Sequence, residues 1–350
     1  ITAMEDVSKL GRLGVKTLGT FFVTSAFAVT TGLIMANVIG PGVGAPKEGL
    51  TLPTVAPAQV TAVDTLLNII PTNPVAALAD GTVLQIIFFA LMLGFAIKKV
   101  GSAADPVRHF FNAAAEVVLK ITHWVMEFTP FGVFALIAAV VGTTGLGVLQ
   151  SLGLLAITLY AACLLHMIVV PSLLVGLVAR LNVFEFYRGI FDAQLVSYST
   201  STSAGTLPVT MSCLQENIGV SRSVASFVLP MGATVNMDGT AIYLGIVAVF
   251  AAQMFGMDLT AAQYGTIILT CTLVSIGTAA VPSASLALMP MVLTPIGMPV
   301  DIVGLVATVD RPLDMMRTVT NVTGDAAVAT TVAKSEGELD IEIFHHRPVA

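Results

Sequence analysis

The sequence predicts an all-α polytopic membrane protein in which hairpins and polar breaks interrupt the spanning helices. Three observations carry that prediction. The chain is too apolar for water: 56% of its 350 residues are hydrophobic and 10% charged, against about 25% charged in an ordinary soluble domain, and its mean hydropathy is +0.92. Its apolar stretches repeatedly approach the ~20 residues that cross a bilayer as a helix. Inside the last of them, Asp310, Asp314, Arg317, Asn321 and Asp325 fall at offsets 0, 4, 7, 11 and 15, which is one stripe of a helix with 3.6 residues per turn. A charge at the centre of such a helix costs about 2.5–3.5 kcal/mol on insertion scales, so the stripe marks a substrate or ion pathway.

The elements follow in order. Residues 13–39 form the first span, and a long Pro- and Gly-containing connection over 40–81 leads to a short second one at 83–97. Spans at 116–149 and 152–181 come next. The stretch 183–214 is apolar at its flanks and polar at its centre, and is followed by 224–257, 262–296 and 300–334. Residues 337–350 are polar and acidic and read as a solvated cytoplasmic tail. No secretory signal opens the chain, and its Ile-Thr-Ala start reads as that of a fragment.

Composition also excludes several functions. A net charge of −6 without a basic patch gives no nucleic-acid surface. Cys163, Cys213 and Cys271 are isolated in apolar sequence and make neither a disulfide framework nor a zinc site; they read as packing residues. His166, alone in an apolar span, reads the same way and not as a proton relay. Asn321-Val322-Thr323 matches a glycosylation sequon only by accident of composition, given its depth.

Lysine and arginine placement orients the spans. Lys9, Arg12 and Lys16 precede the first, Lys98, Lys99, Arg108 and Lys120 lie between the second and third, Arg180 and Arg188 follow the fourth, Arg222 precedes 224–257 and Lys334 closes the last; the 40–81 connection carries only Lys47. One topology puts nearly all these cations in the cytoplasm with that connection outside. It requires 183–214 and 262–296 to enter and leave from the same side, as re-entrant hairpins.

A repeat supports the hairpins. Asn236-Met-Asp-Gly-Thr240 and Asn321-Val-Thr-Gly-Asp325 share Asn-x-x-Gly with a polar neighbour, and each follows a hairpin of small residues, 197–205 in the first case and 275–285 in the second. Apolar flanks argue against reading the Ser-rich 197–205 segment as a flexible linker. Two such units facing each other are how secondary transporters build a midplane site, where helix ends and unwound carbonyls hold an anion and bare cations.

The strings T-S-T-S-A-G-T-L-P-V-T-M, L-P-M-G-A-T-V-N-M-D-G-T-A, S-I-G-T-A-A-V-P and D-M-M-R-T-V-T-N-V-T-G-D, with L-G-R-L-G-V-K, I-P-T-N-P and P-F-G-V-F-A-L-I before them, resemble the glutamate transporter family, the dicarboxylate/amino acid:cation symporters. The resemblance covers essentially the whole chain; family members have two further helices in front, and on this resemblance the sequence is expected to start within the second of them. It implies a homotrimer in a cell (inner) membrane, with the C-terminus cytoplasmic, in which a transport domain slides like an elevator against a static scaffold. The implied transport parts are 1–40 and a core at 182–336, comprising hairpin 183–214, broken helix 224–257, hairpin 262–296 and charged helix 300–334. Residues 41–181 supply the connection and scaffold, with 152–181 joining the transport region.

The same resemblance implies roles residue by residue. Arg317 holds the substrate's side-chain carboxylate, and a guanidinium suits that task because it binds a carboxylate bidentately. Asp314 takes the substrate's ammonium. Thr240, Thr318 and Asn321 add polar contacts, and Ser203 with the Val281-Pro282 tip clamps the α-carboxylate. Sodium ions, co-transported, are expected at three places: Asp325 with carbonyls of Gly232, Asn236 and Asn321; Thr24, Ser25, Asn236 and Asp238 with the carbonyl of Phe21; and carbonyls of Thr234, Ser275, Ile276 and Thr278. No organic cofactor is implied. The chain departs from the family at Ser201 and Met315, the two positions at which one or other branch carries an arginine; Arg311, one turn before Met315, is the candidate compensating charge. Ala280, Ser283 and Ser285 stand where archaeal relatives have glycines.

The expected function is sodium-driven uptake of L-aspartate or L-glutamate. Within the family the alternatives are a proton-coupled glutamate carrier or a C4-dicarboxylate carrier, and anion conduction is a further one. An intramembrane aspartyl protease built on Asp238 and Asp325 is disfavoured, since Val322-Thr323-Gly324 does not supply its Gly-x-Gly-Asp context and Arg317 and Asp314 would have no task. For Asp310 and Arg311 a structural ion pair is an equal reading.

Overall fold

A computed structural model describes residues 7–46, 70–80, 83–145, 147–278 and 280–345. Most of the 40–81 connection and the last residues of the tail lie outside them. Among the described residues the chain is almost wholly helical: α1 (Val7–Ile39), α2 (Pro74–Asp80), α3 (Val83–Val100), α4 (Asp105–Glu127), α5 (Thr129–Thr144), α6 (Gly147–Pro171), α7 (Val183–Thr200), α8 (Ser203–Ser212), α9 (Arg222–Val235), α10 (Asp238–Phe255), α11 (Ala261–Ser275), α12 (Ala284–Leu293), α13 (Ile302–Ala307), α14 (Asp310–Glu336) and α15 (Ile341–His345). Three stretches, Gly11–Ile39, Gly147–Val178 and Arg222–Phe255, are long and apolar enough to cross a membrane.

Local chemistry sets the boundaries. Asn182 accepts from the Phe184 and Glu185 amides to start α7, Thr202 from Gly205 to start α8, and Ser221 from Val224 to start α9. Thr260 and Gln263 form a reciprocal capping box on α11. The expected single span at 116–149 is instead two helices, because Pro130 in the first turn of α5 favours a helix start there and α4 stops at Glu127. The expected span at 300–334 is divided at Thr308–Val309, and α14 then runs without interruption through Asn321–Asp325. The two Asn-x-x-Gly copies therefore differ: the first is a break, with Asn236 and Met237 outside helical geometry between α9 and α10, and the second is continuous helix.

The tail is docked rather than solvated over its described part. Val220 bridges Leu339, the Asp340 amide donates to the Gly219 carbonyl at 2.8 Å, and Phe344 is buried. Leu339, Ile341 and Phe344, spaced among the acidic residues, give this segment an apolar side.

Packing positions the site. α7 lies against α8, and α11 against α12, as two helix-turn-helix hairpins. α1 packs along α10, and α14 contacts α6, α7, α9 and α10. Two apolar clusters result. One joins Ala28–Ala36 of α1, Leu152–Met167 of α6, α10 and Leu313–Val319 of α14; the other joins Leu13 and Phe21, α9 and Ala326–Ala333. α1 and α14 run through both, and α9 ends where α10 begins at the level where one cluster gives way to the other. At that seam lie Thr24, Ser25, Asn236, Asp238, Asn321 and Asp325, all buried.

Candidate functional site

The broken strand of backbone at 236–237 leaves helix ends and side chains free to bond across the seam. Asn236 donates through Nδ2 to Asp325 Oδ1 at 3.0 Å and accepts through Oδ1 from the Thr24 hydroxyl at 3.0 Å. Thr24 also lies 3.1 Å from the Phe21 carbonyl. One turn further, Ser25 donates to Asp238 Oδ1 at 2.9 Å, and His166 Nε2 sits 3.2 Å from Asp238 Oδ2. A Cβ on Gly232 would stand 2.4 Å from Asp325 Oδ1, and one on Gly239 would stand 2.3 Å from the Arg317 carbonyl. At Gly239 the neighbour is backbone, so only glycine permits the approach; at Gly232 it is the end of the Asp325 side chain, which a Cβ would push away.

These contacts join two of the expected cation sets. Asp325, Gly232, Asn236 and Asn321 come together, as do Phe21, Thr24, Ser25, Asn236 and Asp238. Neither Asp238 nor Asp325 pairs with a lysine or arginine among the described residues. Of the third set, Ser275, Ile276 and Thr278 share the turn that ends α11, where the Thr278 amide donates to the Ser275 carbonyl. Thr234 is exposed in the last turn of α9, and its hydroxyl donates within its own helix to Met231.

A small cavity of about 20 Å³ adjoins the seam, little more than the room one water needs. Both hairpins and the break wall it: Ser201 and Ser203, Ala280, Val281 and Ser285, Met237 and Thr240, with Asp314, Thr318 and Asn321 of α14. The expected contacts Ser203, Thr240, Val281, Asp314, Thr318 and Asn321 thus surround one space. Asn321 ties that space to the Asn236–Asp238 break, accepting from the Gly239 amide at 2.7 Å.

Arg317 is placed differently. It lies behind the wall, 1% exposed, with Nη1 on Asp310 at 2.8 Å and Nη2 on Asp314 at 2.6 Å. Its guanidinium carbon is 4.1 Å from the centroid of the Tyr243 ring, a cation–π contact. Asp314 is fully used, since its other oxygen accepts from the Ser283 amide at 2.8 Å. Asp310 pairs with Arg317 two turns away and not with its neighbour Arg311. Arg311 makes no ion pair among the described residues, so this geometry does not bring it to Asp314.

The two hairpins meet at their tips. Thr202 Oγ1 donates to the Ala280 carbonyl at 2.6 Å, and Ser201 and Ser283 hold left-handed backbone at φ 53° and 59°, a conformation that costs a non-glycine residue energy and is found at functional turns.

Sequence reasoning missed several members of this site. His166 is a partner of Asp238 and not a bystander in the packing; no sequence spacing links two residues 72 apart. Tyr243 stacks on Arg317, and Asp310 completes its ion pairs. Asp310 was visible as part of the helical stripe; Tyr243, one turn after the break, carried no separate signal.

Comparison with known proteins accords with this geometry. The family model described as "Sodium:dicarboxylate symporter family" matches residues 1–335. The chain is 34% identical to the "Proton/sodium-glutamate symport protein" of Geobacillus stearothermophilus, across 98% of this chain and 83% of that one. It is 35% identical to an "Excitatory amino acid transporter" of Caenorhabditis elegans, across 97% and 77%. It is 36% identical to a "C4-dicarboxylate transport protein" of Albidiferax ferrireducens, across 99% and 78%.

Proposed function

The chain belongs to the sodium:dicarboxylate symporter family, and we propose that it is the sodium-coupled symporter of an acidic amino acid, L-aspartate or L-glutamate. It is a transporter rather than an enzyme.

The observation that carries this reading is the arrangement of Asp314 at the cavity wall with Arg317 and Asp310 behind it. Without substrate, Arg317 and Asp314 neutralise each other. An amino acid with a side-chain carboxylate can exchange with both: its carboxylate replaces Asp314 on Arg317, and its ammonium replaces Arg317 on Asp314. Each of the two paired groups exchanges one partner of opposite charge for another, so neither is left buried alone, which would be costly. The α-carboxylate brings one further negative charge for the hydrogen-bond donors around the cavity to meet. A C4-dicarboxylate has no ammonium to replace Arg317 on Asp314; a neutral amino acid has no carboxylate to replace Asp314 on Arg317, which Asp310 alone would then hold.

Sodium coupling is supported by the seam. Asp238 and Asp325 are buried carboxylates without a lysine or arginine partner among the described residues, surrounded by hydroxyl, amide and carbonyl oxygens suited to a hard cation. The Asn236–Thr240 break is shared: Asn236 and Asp238 belong to the cation cluster, while Met237 and Thr240 line the cavity. Cations that order the break therefore favour the substrate site, and substrate favours the cations, by reciprocal coupling of one state. The tip contact between Thr202 and Ala280 and the bond from Ser283 to Asp314 support the second hairpin as the gate, with the cation set at 275–278 closing last.

Large apolar side chains exposed on α4, α5 and α6, among them Phe110, Trp124, Phe131, Phe134, Ile157 and Ile168, support an integral membrane protein whose scaffold faces lipid and neighbouring copies. We assign 183–214 and 262–296 as re-entrant hairpins of a moving transport domain. The scaffold is that of a homotrimer in the inner membrane of a bacterial-type cell, with a cytoplasmic C-terminus. Arg311 is assigned the compensating charge near Asp314 in the substrate-bound state. Arg311→Ala then slows transport and weakens affinity, and unchanged kinetics would remove that role.

The test is uptake into proteoliposomes. Accumulation of labelled L-aspartate or L-glutamate driven by an inward sodium gradient supports the reading. Uptake driven by a proton gradient and indifferent to sodium, or succinate carried in preference to both amino acids, contradicts it.

A further inference from the structure

A chain segment beyond its last long helix frays unless burial and hydrogen bonds offset the entropy of ordering it. The segment after α14 is held by both. The helix closes at Gly337, whose φ is 70°, and the chain then turns onto residues 218–222, the link from the first hairpin to α9. The Ser221 amide donates to the Glu338 carbonyl at 3.0 Å and the Asp340 amide to the Gly219 carbonyl at 2.8 Å, an antiparallel pairing around Val220 and Leu339. The Ser221 hydroxyl accepts from the Val224 amide to cap α9 and donates to the Glu338 carboxylate. A Cβ on Gly219 would stand 2.3 Å from the Asp340 carbonyl oxygen, so the two backbones meet as closely as glycine allows.

From there the segment crosses both arms of the first hairpin at the end away from its tip. Asp340 accepts from the Glu342 and Ile343 amides to start α15, which packs on α7 and on the turn Cys213–Asn217 that ends the outgoing arm. Phe344, 3% exposed, joins the apolar cluster of Phe186, Ile190, Leu214 and Ile218, and His345 Nδ1 lies 3.1 Å from Glu185 Oε2. The joint is separable. A groove of about 510 Å³ runs between the segment and the 215–222 turn, with Gln215, Arg222, Asp340 and Ile343 in its walls, and a groove of that size with polar walls admits water.

We propose that residues 337–345 are a latch that locks the base of the first hairpin to α14. This rests on the reading above in which the two hairpins wall a transport site, and it adds what keeps the first of them a fixed wall. α14 packs chiefly on the ingoing arm, α7; the latch reaches the end of the outgoing arm, which α14 holds less. The seam it guards is small, with Cys213 of the outgoing arm buried between Ala193 of α7 and Val322 of α14. The base of the second hairpin is held more lightly, by an exposed hydrogen bond from the Tyr264 hydroxyl to Asn37 Oδ1 at 2.8 Å. Local opening follows the weaker attachments, so the second hairpin is the one free to move while the latch is closed. Release of the latch frees the first hairpin at its base.

Cys213 reports on that seam without an added label site, and the buried Cys163 and Cys271 lie elsewhere, in α6 and α11. The experiment is N-ethylmaleimide labelling of the purified full chain, followed for each cysteine by peptide mass spectrometry, in wild type, Phe344→Ala and Asp340→Pro. The first variant removes the apolar anchor and the second the amide that bonds Gly219; neither alters the hairpin itself. Cys213 is protected in wild type and labels about tenfold faster or more in both variants, while Cys163 and Cys271 keep their wild-type rates. Asp340→Asn, which retains the amide and a capping oxygen, labels as wild type. A Cys213 rate within twofold of wild type in both variants overturns the proposal. So does a rise shared equally by all three cysteines, since the segment then stabilises the whole fold and not this seam. Labelling is done without substrate, so a failure here leaves the acidic amino acid reading standing, and a failure of that reading does not change the expected labelling.

Discussion

At the scale of single residues, the account turns on Arg317 being held by two carboxylates. Asp310 and Asp314 share one guanidinium, so each alone leaves Arg317 with a partner, and their removal should differ in kind. Asp310 is 2% exposed and does not line the cavity; its pairing positions Arg317. Breaking a buried pair costs about 3–5 kcal/mol when a charge is left alone, and less here because Asp314 remains. Asp310→Asn should therefore lower the thermal midpoint and weaken acidic amino acid binding about tenfold or more, while keeping sodium dependence. Calorimetry and thermal unfolding of the purified variant check both. The stripe that contains these residues was legible in the sequence, because a helix fixes offsets of 4, 7, 11 and 15 to one face. Which charge pairs with which was not legible. Asp310 has Arg311 beside it in sequence and Arg317 two turns away, and adjacent residues on a helix point apart while those seven apart align. His166 shows the stronger limit: its bond to Asp238 depends on α6 packing against α10, a tertiary fact with no local signature.

At the scale of elements, the two helix-turn-helix pairs and the break at 236–237 were foreseen from small residues, from the placement of cations and from the motif strings; the pairs' re-entry from one side of the membrane belongs to the proposed reading. The continuity of α14 through Asn321–Asp325 was not, since the same Asn-x-x-Gly pattern breaks one helix and leaves another intact. The difference lies in the surroundings. Asn236 is preceded by Pro230 inside α9 and its side chain is drawn to Thr24 and Asp325, whereas Asn321 bonds Gly239 and Met237 from within a regular helix. Two predictions belong here. Thr202 both caps α8 and joins the hairpin tips, so Thr202→Val removes a cap worth about 1 kcal/mol together with the bond to Ala280. Bound L-aspartate or L-glutamate should leave several-fold faster in stopped-flow measurements, and an unchanged dissociation rate would mean that the tips are not held by this bond.

The second concerns the ends of α1 and α14. Glu336 accepts from Arg12 at 2.8 Å and Lys16 at 2.6 Å, and these hydrogen bonds hold its carboxyl down to about 2 from the usual 4.5. A depressed carboxylate stabilises the fold above its unfolded value and loses that contribution as the pH falls. The window is therefore from about 4.5 down to about 2. Both cations are substantially exposed, so solvent screening limits the pair to about 1 kcal/mol or less, and salt weakens it further. The midpoint difference between wild type and Glu336→Gln should be present near neutral pH and shrink through that window. A difference independent of pH would assign the residue a packing role instead.

At the scale of the whole molecule, a polar layer lies between two apolar clusters, crossed by α1 and α14 and interrupted between α9 and α10. The residues proposed for substrate and those proposed for cations occupy that layer together and share the Asn236–Thr240 break, so on the proposed reading ordering one site favours the other. The same layout explains why composition identified the class of molecule while the chemistry had to come from a handful of buried residues. The measurement that tests this most directly is the affinity of purified protein for L-aspartate and L-glutamate across a sodium titration, in wild type and in Arg317→Ala. The account predicts affinity that rises steeply with sodium for at least one of the two, and loss of that binding, by about a hundredfold or more, in the variant. Affinity independent of sodium, or a variant that binds acidic amino acids as wild type does, would contradict it.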